Sequence, residues 1–131
     1  MANQVKVSFI KSSDGLLESK NGKAEVSFRG NGLEPYELFL GGYASCLHAT
    51  FKGIVAKKKL TFDSAVYDVV GVKRELVPTM LETLTTVVTI TGVEESKQKA
   101  ILKSMEMAER YCSISALISK VAEMKSEIIF K

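Results

Sequence analysis

The feature that most restricts this chain is a segment that opens with "EPYELFLGGYASCLHAT" and contains no further proline across residues 36–59. Pro35 suits the first position of a helix, where its missing N–H costs nothing. The segment therefore predicts one long helix, open to interruption at Gly41 and Gly42. Its apolar residues, Leu38, Phe39, Leu40, Tyr43, Leu47, Phe51, Ile54 and Val55, do not gather on one stripe. A helix that is apolar on several sides has to be enclosed, and one small sheet cannot enclose it. The expected solution is an intertwined homodimer in which two such helices share a core. Lys57, Lys58 and Lys59 fall in the last turn, where positive charge suits the negative end of the helix dipole.

Strand-forming sequence flanks this helix. Val5, Val7 and Phe9 alternate with polar residues, as do Ala24, Val26 and Phe28, and Asp14-Gly15 and Asn21-Gly22 punctuate the run. Asn-Gly supplies the positive φ angles of a two-residue turn, so residues 16–20 and 23–29 are expected to form a hairpin. Beyond the helix, residues 62–74 and 81–91 are rich in Val, Thr, Ile and Tyr and read as a second hairpin joined through Pro78, with Gly92 closing it. Ile101, Met105, Ala108 and Cys112 recur at helical spacing and make residues 96–111 an amphipathic helix with Cys112 on its buried face. "SISALISKVAE" reads as a further short helix capped by Ser113, and "MKSEIIFK" as a last strand. The order gives an α+β fold, with largely antiparallel sheets around a long central helix. Residues 1–131 are expected to form a single domain.

Composition limits the function classes. A chain of 131 residues with 46% hydrophobic content can bury a core of its own. Its 18 basic and 15 acidic side chains are scattered, with no sustained basic block, so nucleic acid is not an expected partner. No apolar run approaches the roughly 18 residues that cross a membrane, and the first residues do not read as a secretory leader. A soluble cytoplasmic protein is expected, with no membrane partner.

The two cysteines, Cys46 and Cys112, then invite a chemical reading. In a reducing compartment a structural disulfide is not expected, and with one histidine in the chain a tetrahedral zinc site is not expected either. A buried free cysteine can simply be a small hydrophobe. A reactive one must ionise to the thiolate.

"EPYELFLGGYASCLHA" resembles the first cysteine motif of the OsmC/Ohr family, proteins named for osmotic induction and organic hydroperoxide resistance, and "AERYCSISALI" resembles the second. The order of elements and the separation of the cysteines fit the family as well. The resemblance implies an intertwined dimer with thiol-dependent reduction of organic hydroperoxides or hydrogen peroxide near the subunit interface. Matched to the motifs, Cys46 would attack the peroxide and become a sulfenic acid, and Cys112 would resolve it as a disulfide. No bound cofactor or metal is implied. An external thiol, dihydrolipoyl or another dithiol, would complete the cycle.

Glu37 is the catalytic carboxylate that the resemblance supplies, able to orient a cation or accept a hydrogen bond from the peroxide. The peroxidase branches usually carry their glutamate directly after the proline, where this chain has Tyr36. Glu37 matches the next position, as in the YhfA-like branch. On an ideal helix turning about 100° per residue, Glu37 is half a turn round from Cys46, so a shared site requires a kink or a second subunit. A break at the glycines would also set Cys46 near free N–H groups that favour a thiolate. The early loop, where the family carries an arginine, holds only Lys11 and Lys20; Arg29 and Arg74 are the nearest by position. His48, two residues from Cys46, points about 200° away on a regular helix and reads as a packed residue. Ser113 stands where the second motif usually has proline. A homodimer of the same fold that binds a small ligand or a protein, with little or no turnover, is the alternative reading.

Overall fold

The computed structural model describes residues 2–131. The chain forms two compact units, Met1–Gly41 and Gly42–Lys131. The expected elements form in the expected order as a mixed α+β fold with two three-stranded sheets.

In the first unit, β1 (Lys6–Phe9), β2 (Asp14–Ser19) and β3 (Gly22–Ser27) make an antiparallel sheet in that order. The hairpin is present but its turn is one residue earlier than expected. Ser19 pairs with Gly22, leaving Lys20 and Asn21 as the two-residue loop. The positive φ angles among the described residues occur at Lys11, Gly30, Lys59 and Gly92, so neither Asn21 nor Gly22 supplies one. The loop is held instead by the Ser19 hydroxyl, which accepts the Asn21 N–H at 3.0 Å, a local side-chain turn of the kind serine favours.

Asp14-Gly15 likewise belongs to a strand, not to a turn. Gly15 is required there because the Phe9 ring and the Ser8 carbonyl occupy the space where a Cβ would project. The Phe9 ring also meets Phe28, with centroids 6.1 Å apart. Asp14 accepts the Ser27 hydroxyl at 2.6 Å and the Asn31 amide at 3.2 Å, which ties the loop after β3 back to β2.

Helix α1 (Pro35–Lys57) begins in this unit and continues as helix through Gly41 and Gly42. Glu37 starts it: its carboxylate accepts the Glu34 N–H at 2.8 Å, the returning half of a capping box. No interruption occurs at these glycines, and the two, costing about 1 kcal/mol each relative to alanine, are carried within a longer hydrogen-bonded run.

In the second unit, α1 buries Tyr43, Leu47, Phe51 and Val55, one residue per turn at a spacing of four. Within the single chain this stripe is the buried one. The helix ends in a Schellman motif, with Leu60 N–H to the Val55 carbonyl at 2.9 Å and Lys59 N–H to the Ala56 carbonyl at 3.1 Å. Lys59 takes the left-handed position, at φ 57°, where glycine is usual. Lys58 turns back to donate to the Ser104 hydroxyl at 3.0 Å, so the lysines do more than face the dipole.

Strands β4 (Ser64–Lys73) and β5 (Leu81–Thr91) pair antiparallel. A short 3-10 turn (Glu95–Lys97), helix α2 (Gln98–Tyr111) and helix α3 (Ser113–Ser119) then carry the chain back to β6 (Glu123–Phe130). β6 runs parallel to β5, the one parallel strand pairing among the described residues, in sheets that are otherwise antiparallel as expected. The two-helix crossover is the cause, since parallel neighbours need a long connection of that kind. Leu84, Val88 and Ile90 of β5, Ile101, Met105 and Ala108 of α2, and Ile118 of α3 complete the core with the α1 stripe. At the end of β5, Gly92 adopts φ 77° and the Asp63 carboxyl fills the place of its missing side chain.

Candidate active site

Both cysteines lie in the second unit, and the fold brings them together. Cys46 sits half-buried on α1, one turn before Thr50, whose hydroxyl donates to the Cys46 carbonyl at 3.0 Å. Cys112 is fully buried at the junction of α2 and α3. Its N–H closes α2 by donating to the Ala108 carbonyl at 2.8 Å, and its carbonyl opens α3 by accepting the Ala116 N–H at 2.9 Å.

A cap must be non-helical, and Cys112, with φ −66° and ψ 122°, is the one residue between the helices that is. Its sulfur accepts the Ser115 N–H at 3.4 Å. Cys112 is therefore the cap of α3. Ser113, the expected cap, is instead the first residue of the helix.

The Cys112 thiol donates to the Cys46 sulfur across 2.9 Å, and the Ser113 hydroxyl lies 3.9 Å from the same sulfur. The two thiols are thereby set apart in acidity. The hydrogen bond from Cys112 holds the Cys46 thiol below its ordinary value against the opposing effect of partial burial, and the Ile114 N–H and the Ser113 hydroxyl and N–H add to it. Burial first, then the hydrogen bond to Cys46, pushes Cys112 up. The groups that acidify Cys46 thus come from the α2–α3 junction, and not from a second half of α1 as the glycines suggested.

Tyr43, three residues before Cys46 on α1, is buried. Its hydroxyl lies 3.4 Å from that of Thr86, and its pKa is raised chiefly by burial, with smaller contributions from the charges of Glu109 and Cys112. Ile114 carried no signal, because its contribution is a backbone N–H.

His48 is a packed residue, as its spacing predicts. Its Nδ1 meets the Tyr67 hydroxyl at 2.9 Å, and its ring contacts Phe51, Phe62 and Tyr67. Burial, and then the Lys52 charge, lowers its pKa. Among the cations, Arg74 donates to the Pro78 carbonyl at 2.8 Å in the β4–β5 loop. Lys11 and Arg29, in the first unit, line an open polar cavity of about 430 Å³ with Ser12, Ser13, Asp14 and Asn31. Glu37, also in that unit, is engaged at the start of α1. Among the described residues no three His, Cys, Asp or Glu side chains gather as a metal site.

The arrangement is a dithiol with an accessible, acidified sulfur and a buried partner in contact with it. Such a pair can attack an electrophilic atom and then close on itself.

A family model described as OsmC-like protein matches residues 28–127. No curated protein sequence matches the chain. Among solved structures, a hypothetical protein from Aquifex aeolicus VF5 is similar at 23% identity, TM-score 0.82, over 100% of this chain and 98% of that one. An OsmC-like protein from Mycoplasma pneumoniae superposes with TM-score 0.85 at 15% identity over 99% and 97%. The organic hydroperoxide resistance protein OhrB of Bacillus subtilis does so with TM-score 0.67 at 19% identity over 96% and 98%.

Proposed function

Because the chain belongs to the OsmC-like protein family, we propose that it is a thiol-dependent peroxidase that reduces organic hydroperoxides or hydrogen peroxide. The observation that carries this reading is the 2.9 Å contact between Cys46 and Cys112, with the accessible sulfur acidified and the buried one held protonated. The Cys46 thiolate attacks one peroxide oxygen and breaks the O–O bond. It becomes a sulfenic acid, and the departing alkoxide or hydroxide takes up a proton. Cys112 then gives up its proton and attacks the Cys46 sulfur, the sulfenic oxygen leaves as water, and a disulfide remains. Two electrons from an external dithiol, of dihydrolipoyl or similar type, restore both thiols.

In this reading the whole chain acts as one cytoplasmic, cofactor-free OsmC-like domain in a homodimer. The unburied apolar residues of the first unit, among them Val7, Phe9, Phe28 and Phe39, support the dimer. Glu37 enters the proposal as a carboxylate that orients a cation or accepts a hydrogen bond from the peroxide, apart from its part in starting α1. Its position after Tyr36 supports the YhfA-like branch.

A second reading, a homodimer that binds a small ligand or a protein with little turnover, draws support from the neutrality of the groups that acidify Cys46: a thiol, a hydroxyl and two N–H groups. Stoichiometric hydrogen peroxide or cumene hydroperoxide, followed by a count of free thiols, separates the two. The peroxidase consumes both thiols and yields an internal Cys46–Cys112 disulfide. Cys46→Ser abolishes turnover, and Cys112→Ser accumulates sulfenic acid at Cys46. Slow oxidation without that disulfide would overturn the peroxidase reading.

A further inference from the structure

We propose that Ser113 is a positioning residue for the Cys46 sulfur, its side-chain hydroxyl donating to the thiolate beside the thiol of Cys112. The inference rests on Cys46 as the nucleophile of the proposed reaction.

Three observations carry it. First, the Ser113 hydroxyl lies 3.9 Å from the Cys46 sulfur, within reach of a weak sulfur hydrogen bond. A thiolate has no proton to give, so once Cys46 ionises the hydroxyl can only be the donor. Second, Ser113 is the first residue of α3, directly after the cap Cys112. Its place is fixed by the turn that Cys112 caps, which holds the hydroxyl on the Cys46 side of the junction. Third, Ser113 is exposed while its neighbours Cys112 and Ser115 are buried. The hydroxyl is therefore not part of the core.

Ser113 gains and loses no bonds in the cycle, so its hydroxyl stays beside Cys46 while Cys112 changes its bonding.

The test is the pH dependence of Cys46 alkylation by iodoacetamide in the full chain, followed by mass spectrometry at the Cys46 peptide. It requires no peroxide turnover. Ser113→Ala removes the hydroxyl and keeps the N–H, and should raise the midpoint so that thiolate at a fixed pH below it falls about threefold, the scale of one modest hydrogen bond. Ser113→Pro also removes the hydroxyl, at a position where proline fits a helix start, and should lower the thiolate at least as much. Ser113→Thr should restore the parent profile. Should Ser113→Pro fail to fold, Ser113→Ala and Ser113→Thr decide the matter. An unchanged midpoint in a folded Ser113→Ala protein would overturn the proposal while leaving the peroxidase reading standing. A shifted midpoint in a protein that forms no disulfide with peroxide would support Ser113 and defeat the peroxidase reading.

Discussion

The turn of α1 that carries Cys46 and the junction of α2 and α3 that carries Cys112 hold the same residue type in opposite ways. The first is a turn in an uninterrupted helix, with its sulfur on a half-buried face and its backbone satisfied locally. The second is a break between helices, with its sulfur fully buried and its backbone joining the end of one helix to the start of the next. One is a rigid seat that brings no acidifying group of its own; the other supplies every group that acidifies it. Reactivity at Cys46 is thus set at the junction, not on the helix it rides.

The largest expected effect is in native alkylation. Cys46 should react more than about tenfold faster than Cys112 at neutral pH, since only the thiolate reacts and Cys112 is both buried and raised. Denaturation should erase the difference, and equal rates in the folded protein would break the comparison. The same asymmetry gives stability terms of opposite sign. Cys46, lowered in the fold, contributes stability above its unfolded value that is lost as pH falls through its folded value. Cys112, raised, contributes stability below its unfolded value that is lost as pH rises through its folded value.

Changes confined to α1 should move stability and leave the Cys46 pH profile alone. Gly42→Ala meets nothing within 4 Å of the new Cβ, so the single chain should gain up to about 1 kcal/mol in denaturant unfolding. A loss in the assembled protein would show that a second chain packs against this strip. Glu37→Ala should cost about 0.5 kcal/mol through its part in the capping box, with Glu37→Gln smaller still because the amide oxygen can accept the same N–H. If Glu37→Gln lowers peroxide turnover severalfold without that stability loss, the carboxylate has a chemical role beyond starting the helix.

Much of this was legible in the sequence because it depended on periodicity. Val5 to Phe9, the Ile101 to Cys112 face and the proline-free run after Pro35 each announced their element. Cys46 and Cys112 were legible as a pair through the two motifs. What was not legible depended on register or on backbone groups. Ser19 moved a turn by one residue with a single hydroxyl. The crossover made β6 parallel because its strand pattern carries no direction. The N–H groups of Ser113 and Ile114 belong to every residue alike, so no choice of side chain could mark them as the ones that face a sulfur.

The position of Cys112 as a helix cap has a last consequence. Capping residues are ordinarily spectators, chosen for shape and left alone. Here the atom that accepts the Ser115 N–H is also the atom that must form a bond and break it again in each cycle of the proposed reaction. Every turnover therefore touches the first turn of α3, and the order of that turn becomes a local readout of whether the sulfur is free or engaged.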